Sequence, residues 1–147
     1  MKRSIRLEAF YDSPIEEVWA AFTDREELAQ WLMPNDFAPV VGHRFQFRSK
    51  PMPGWDGTID CEVLVLEPPT RLSYTWTNAK NKLDTVVTWT LAPVNGGTQV
   101  VLEHTGFAGL KGLLLSEMMR RGWKSNMLVK RLPLVLAARR ARRVEAS

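Results

Sequence analysis

The chain has 147 residues, of which 45% are hydrophobic and 24% charged, a balance that predicts one globular domain and excludes a disordered or fibrous protein. The single cysteine, Cys61, excludes an intrachain disulfide and a cysteine cluster for a metal. No apolar run approaches the ~20 residues of a membrane span, and no apolar segment follows the charged first residues, so we expect a cytoplasmic protein with no span and no signal peptide.

The first third of the chain shows one strand signal followed by two helix signals. Residues 3–11 carry apolar side chains at every second position, which predicts a half-buried strand. Ser13, Pro14 and Glu16 have the pattern of a capping box at the start of a helix. Asp24 with Glu27 repeats the pattern for a second short helix.

The middle of the chain predicts about five antiparallel strands. Apolar and polar residues alternate from residue 43 to residue 105, and Asn95-Gly96 is a strong hairpin signal. The rows that alternation places on the inner face include Phe45 and Phe47, Cys61, Tyr74 and Trp76, Trp89, and His104. Strands followed by one long helix indicate an α+β domain with a sheet curved around that helix.

The last helix is predicted over Leu110 to Leu132. At helical spacing, one broad face carries Leu114, Leu115, Met118, Met119, Gly122, Ser125, Leu128, Val129 and Leu132. Gly122 and Ser125 are small where a packed helix normally carries Leu or Ile. We therefore expect either a close approach of another backbone at this point or open space beside the helix.

Several spaced motifs resemble one family. They are Ser13-Pro14-Ile15-Glu16-Glu17-Val18-Trp19 with Trp31, Gly42-His43-Arg44-Phe45, Glu67-Pro68-Pro69-Thr70-Arg71-Leu72, Gly96-Gly97-Thr98, His104-Thr105-Gly106-Phe107 and Gly122-Trp123. The chain is similar over residues 5–132 to the START-like (SRPBCC, Bet v 1-like) superfamily. More narrowly it resembles the bacterial homologues of the activator of the heat shock protein 90 ATPase.

The resemblance implies a helix-grip fold, in which a sheet of six to seven antiparallel strands wraps around the C-terminal helix with two short helices after the first strand. It also implies a cavity between sheet and helix, and a role in ligand binding, in polyketide cyclisation or, as in the cochaperone, in the stress response. We assign residues 1–133 to this domain and residues 134–147 to a basic C-terminal extension.

Ten residues are candidates for lining such a cavity. Large or adaptable apolar groups supply contact area, and Tyr74, His104 and Ser125 supply hydrogen bonds that orient a ligand. The candidates are Phe45, Phe47, Tyr74, Trp76, Trp89, His104, Met118, Met119, Gly122 and Ser125. Plain core packing is the alternative for the apolar residues, and a His satisfied by a backbone carbonyl is the alternative for His104.

Motifs for catalysis and for metal binding are absent from the sequence. The two histidines lie far apart, no G-x-S-x-G or nucleotide-binding glycine pattern occurs, and Asp60, Glu62 and Glu103 alternate with inward residues and so face solvent. We expect no catalytic residue, no metal and no cofactor.

The positive charge is concentrated at the C-terminus. Residues 111–147 have ten Lys and Arg against two Asp and Glu, while residues 1–110 have ten against fourteen. Arg139, Arg140, Arg142 and Arg143 lack interleaved aromatic residues, so we expect a solvated helical extension and no specific nucleic-acid binding.

The first interpretation is a non-enzymatic domain that binds a small hydrophobic or aromatic molecule. The second is a protein-interaction module similar to the heat shock protein 90 cochaperone, and the third and weakest is a polyketide-cyclase-like enzyme. Either a monomer or a homodimer is compatible with the sequence.

Overall fold

One antiparallel sheet of six strands forms the frame of the protein. The structure, a computed structural model, describes residues 2–146. Met1, the first residue of the predicted domain, and Ser147, the last residue of the predicted extension, lie outside the described residues. The strands are β1 (Lys2–Tyr11), β2 (Arg44–Arg48), β3 (Thr58–Glu67), β4 (Arg71–Asn78), β5 (Leu83–Val94) and β6 (Gly97–Ala108). Their order in the sheet is β1-β6-β5-β4-β3-β2, which places β1 and β2 at the two edges.

The predicted strands and the hairpin are confirmed. Asn95 and Gly96 both have positive φ, as a two-residue hairpin turn between β5 and β6 requires. The inner rows are also confirmed, because Phe45, Phe47, Tyr74, Trp76 and Trp89 are all buried. The alternation of apolar and polar residues identified the inner rows correctly, because successive side chains of a strand point to opposite faces of the sheet.

The two short helices are α1 (Ile15–Thr23) and α2 (Arg25–Trp31). Asp24 caps α2, because its carboxylate accepts hydrogen bonds from the backbone N–H groups of Glu26 and Glu27. The capping box predicted at Ser13 is wrong. Pro14 stands before α1 and no side chain caps that helix. The Ser13 backbone carbonyl instead accepts a hydrogen bond from Thr98 in β6, which ties the start of α1 to the sheet.

The C-terminal helix has three parts that follow one another without a break. They are α3 (Gly109–Arg121), a π-helical segment (Gly122–Arg131) and α4 (Leu132–Ala146). At the junction with α4, the Leu132 N–H donates to the Met127 carbonyl five residues back. Pro133 has no N–H to continue the π pattern to Leu128. The Tyr11 hydroxyl of β1 donates to the Leu128 carbonyl instead, at 2.8 Å.

The fold is therefore the expected α+β helix-grip arrangement. The curved sheet lies on one side, and α1, α2 and the C-terminal helix lie on the other. A single hydrophobic core lies between them. Trp31, Trp76, Trp89 and Trp123 are its largest fully buried side chains. The predicted boundary at residue 133 falls inside the continuous C-terminal helix and stays a prediction.

Candidate functional site

An aromatic cluster fills the space between the middle of the sheet and the helices. We call it the interior cluster and define it as Phe22, Trp31, Phe45, Phe47, Tyr74, Trp76, Trp89, His104, Phe107 and Trp123. Its members come from α1, α2, β2, β4, β5, β6 and the π-helical segment, and neighbouring rings contact one another mostly edge to face or tilted. Six of the ten predicted site residues belong to it.

His104 lies at the centre of a hydrogen-bonded chain that joins the π-helical segment to the sheet. The Trp123 indole N–H donates to its Nδ1 at 3.1 Å, and its Nε2 lies 2.8 Å from Thr85 Oγ1. The Thr85 hydroxyl donates to the Trp76 carbonyl at 2.7 Å, so it accepts from Nε2–H. His104 is therefore neutral with its proton on Nε2.

Burial keeps this imidazole neutral, since it lowers the pKa of His104 to about 3. Both ring nitrogens are occupied by Trp123 and Thr85, so neither is available for proton transfer in this conformation. The partners of His104 are thus two side chains, where the alternative interpretation expected a backbone carbonyl. Thr85 was missed in the sequence because a threonine in a strand carries no distinguishing signal.

Trp76 has the one unusual polar group of the interior cluster. Its Nε1–H is buried and has no hydrogen-bond partner among the described residues. The indole of Trp89, by contrast, donates to the Tyr74 hydroxyl at 3.0 Å. A buried donor without an acceptor costs about 1–3 kcal/mol, so such groups are uncommon in native proteins and call for an explanation.

Tyr74 places a second polar group near the same point. It lies two residues before Trp76 in β4, and the rings of both contact Phe47 at centroid distances of 5.9 and 5.3 Å. Burial raises the pKa of the Tyr74 hydroxyl far above its usual range, so it stays protonated. Both Tyr74 and Trp76 therefore offer neutral N–H or O–H groups, and the interior cluster itself contains no charged side chain.

The inward face of the C-terminal helix differs from the predicted one. Leu114, Met118, Ser125 and Val129 are exposed, with Met118 at 65%. The face toward the sheet instead carries Gly112, Ser116, Met119, Trp123, Leu128 and Leu132. Of the predicted site residues on this helix, Met119 packs against the core, whereas Met118 and Ser125 point away from it.

The small residues of the helix do not mark a gap toward the sheet. A Cβ built on Gly122 meets no atom within 4 Å, and Ser125 is exposed. Trp123, the neighbour of Gly122, occupies the central position opposite the sheet and contacts Trp76 and Trp89. No described backbone outside the helix approaches Gly122 closely, and the place opposite the sheet is occupied by the Trp123 indole.

Ion pairs hold part of α4 against the start of the domain. Arg139 makes a two-pronged pair with the buried Glu27 of α2, its Nε lying 2.9 Å from Glu27 Oε1. Arg143 pairs with Glu17 of α1 at 2.5 Å. Val135 and Leu136 are buried. The expectation of a solvated extension is thus wrong for this side of α4, since its apolar residues and two of its arginines pack on α1 and α2.

Two open grooves lie outside the interior cluster. One, of about 590 Å³, is lined by charged residues including Glu17, Glu27 and Arg139. The other, of about 520 Å³, runs between the second half of β1 and the C-terminal helix. In residues 2–146 no group of three or more His, Cys, Asp or Glu side chains is arranged for a metal ion. None of the helices in this range is both long and apolar enough to span a membrane.

Cys61 is a buried free thiol in the inner row of β3. Burial raises the pKa of this thiol well above its ordinary range, so the reactive thiolate is suppressed. The buried position of Cys61 agrees with the inner-face position that the alternation of β3 predicts.

The chain is similar to one protein family and to solved structures that it matches over nearly its whole length. Residues 12–136 match the family described as activator of Hsp90 ATPase homolog 1-like protein. Protein MLL2253 from Mesorhizobium loti is 35% identical, with a TM-score of 0.81 over 92% of this chain and 98% of that one. Protein BH1534 from Bacillus halodurans is 30% identical, with a TM-score of 0.75 over 91% and 96%.

A third similar structure comes from a biosynthetic context. DynU16, a protein of the dynemicin biosynthetic locus, is 27% identical with a TM-score of 0.71 over 91% of this chain and 47% of that one. No match was found among curated protein sequences.

Proposed function

The chain belongs to the activator of Hsp90 ATPase homolog 1-like family, and from that premise we propose that it binds one small, neutral, largely aromatic molecule between the sheet and the C-terminal helix. The protein holds this molecule without changing it chemically. The unpartnered Trp76 Nε1–H is the observation that carries the proposal.

The chemistry of the interior cluster selects the ligand class. Aromatic rings surround the site. They bind flat apolar molecules by burying apolar surface area and by making edge-to-face ring contacts. Trp76 supplies a hydrogen-bond donor that lacks an acceptor, so the ligand carries a carbonyl or ether oxygen. A charged ligand is disfavoured, because the interior cluster has no opposite charge to compensate its desolvation.

The ligand takes the place that Trp123 occupies in the closed structure. Trp123 belongs to a π-helical segment, and π-helical turns are rare and often occur at functional sites. When this side chain moves outward, it vacates a space of the size of an indole beside Trp76, Trp89 and His104. Met119 and Met127 lie at the edge of the core and are flexible enough to adapt.

A titration with a neutral aromatic ketone tests the proposal. The probe is 6-acetyl-2-dimethylaminonaphthalene, whose emission shifts to the blue in an apolar site, and its matched control is 2-dimethylaminonaphthalene, which lacks the carbonyl. We expect the wild type to bind the ketone about three- to tenfold more tightly than the control, as one hydrogen bond to Trp76 predicts.

Two variants assign the effect to Trp76. Trp76→Phe is expected to bind both probes equally, while Trp89→Phe, which removes an indole already bonded to Tyr74, retains the preference for the ketone. No blue shift with the ketone, together with native mass spectra free of any bound small molecule, would contradict the proposal.

A second candidate function is binding of a protein partner through the outside of the C-terminal helix. Leu114, Met118 and Val129 are about two-thirds exposed on this helix, and the family description names activation of the Hsp90 ATPase. On this hypothesis the protein stimulates the ATPase rate of a bacterial Hsp90, and Met118→Lys abolishes the stimulation. An unchanged ATPase rate in the presence of the wild-type protein rules this candidate out.

A further inference from the structure

Strand β1 is a long edge strand with one free side. It has ten residues and pairs with β6 alone among the strands of the described sheet. Its outward side chains Arg6, Glu8 and Phe10 are exposed, Phe10 at 50%. An open groove of about 520 Å³ adjoins Glu8 to Ser13, so the C-terminal helix does not close this end of the edge.

A free edge of this length normally has a cover or a feature that blocks further pairing. β1 contains no proline and has one register irregularity, between Arg3 and Ser4. From Ser4 to Tyr11 the register with β6 is regular. We propose that β1 pairs antiparallel with β1 of a second copy of this chain, about a twofold axis at Leu7, and that a continuous sheet of both copies results.

The charges of the strand select this register. With the axis at Leu7, Arg6 of each copy lies opposite Glu8 of the other, which gives two opposite-charge pairs on the outward face. An axis at Arg6 places two arginines opposite each other, and an axis at Glu8 places two glutamates opposite each other. Arg6 and Glu8 already form an exposed ion pair at 2.8 Å within one strand, so both are available to exchange partners.

The apolar residues agree with the same register. Ile5 lies opposite Ala9, and Leu7 meets its own copy, so the inward faces of both strands stay on the core side. The exposed Phe10 lies opposite Ser4, a small residue that leaves room for the ring. A twofold interface of this kind is self-complementary, as the contact of a closed homodimer requires.

Charge reversal at Arg6 and Glu8 tests the proposal, because both side chains are exposed and their replacement leaves the core unchanged. Glu8→Arg and Arg6→Glu each put like charges opposite one another in the dimer. Each is expected to weaken dimerisation about tenfold or more, measured by sedimentation over a concentration series. The double variant Arg6→Glu/Glu8→Arg restores the two opposite-charge pairs and is expected to dimerise as the wild type does.

A mixture of the two single variants provides an independent check. One chain then has two acidic residues and the other two basic residues, so the mixture is expected to form heterodimers although each variant alone is mainly monomeric. Circular dichroism of each variant establishes that it is folded. A wild type that stays monomeric at every concentration, or a dimer whose stability is unaffected by Glu8→Arg, overturns the proposal.

Discussion

The indole N–H of Trp123 donates a hydrogen bond to Nδ1 of His104 at 3.1 Å and so joins the C-terminal helix to the middle of the sheet. This bond requires a neutral imidazole, because a protonated one has no acceptor nitrogen. Thr85 fixes the other side of the ring. The position of Trp123, which closes the interior, therefore depends on the protonation state of His104.

Acid should destabilise the protein through His104. Burial lowers the pKa of His104 to about 3 in the folded state, against about 6.5 in the unfolded chain. As the pH falls below about 6.5, the unfolded state takes up the proton first, so the stabilisation is complete above that pH and is lost progressively toward pH 3. Between pH 7 and pH 4 the free energy of unfolding should fall by roughly 3 kcal/mol from this group.

Urea unfolding of the wild type and of His104→Asn across that pH range measures the effect. Asparagine has a donor and an acceptor but does not titrate in this range, and the carboxylates of both proteins contribute alike. The variant should show a shallower dependence of unfolding free energy on pH. Parallel pH profiles for the two proteins would mean that His104 is not the buried neutral group described.

Gly122→Ala should stabilise the protein. Gly122 has helical angles, φ −62° and ψ −49°, and a new Cβ meets no atom within 4 Å. The methyl group reduces the freedom of the unfolded chain, which should raise the free energy of unfolding by about 0.5–1 kcal/mol.

Gly112→Ala is the matched control within the same helix. Its Cβ would lie 3.1 Å from the backbone carbonyl carbon of Phe107, which cannot rotate away as a side chain does. We expect this variant to be less stable than Gly122→Ala by at least about 1 kcal/mol in urea unfolding. Equal stability of the two variants would contradict the difference in available space between Gly122 and Gly112.

Arg139→Met should be strongly destabilising, because it leaves the buried carboxylate of Glu27 without its partner. Removing one member of a buried pair typically costs about 3 kcal/mol or more. Arg142→Met is the control, since Arg142 is exposed and forms no ion pair with the described residues; its effect should stay within about 0.5 kcal/mol. Thermal or urea unfolding of both variants distinguishes a packed α4 from a solvated one, in which the two substitutions would behave alike.

The sheet was predictable from sequence, but the face of the C-terminal helix that packs on the sheet was not. Alternation in β4 and β5 assigns Tyr74, Trp76 and Trp89 to the core without ambiguity, because a strand has two faces. The C-terminal helix has apolar side chains on more than one face, among them Leu114 and Leu115. Its π-helical segment also changes the number of residues per turn, so a spacing of 100° per residue fails beyond Gly122.

The contacts that define the site were beyond sequence reasoning for a different reason. Thr85, His104 and Trp123 come from three elements, and their hydrogen bonds depend on how the helix sits on the sheet. The unpartnered N–H of Trp76 is likewise a property of the packed core. The family resemblance implied a cavity between the sheet and the C-terminal helix, but it gave no sign that an indole occupies that place.

The Trp76 indole N–H resonance, followed by ¹H–¹⁵N correlation spectroscopy during titration with 6-acetyl-2-dimethylaminonaphthalene, tests the central claim most directly. The resonance is assigned by its loss in Trp76→Phe. We predict that it moves downfield as the ketone accepts the hydrogen bond, that the Trp123 indole signal shifts as its bond to His104 breaks, and that 2-dimethylaminonaphthalene leaves the Trp76 proton unbonded. Signals of Trp76 and Trp123 that stay fixed while the ketone saturates would contradict binding between the sheet and the C-terminal helix.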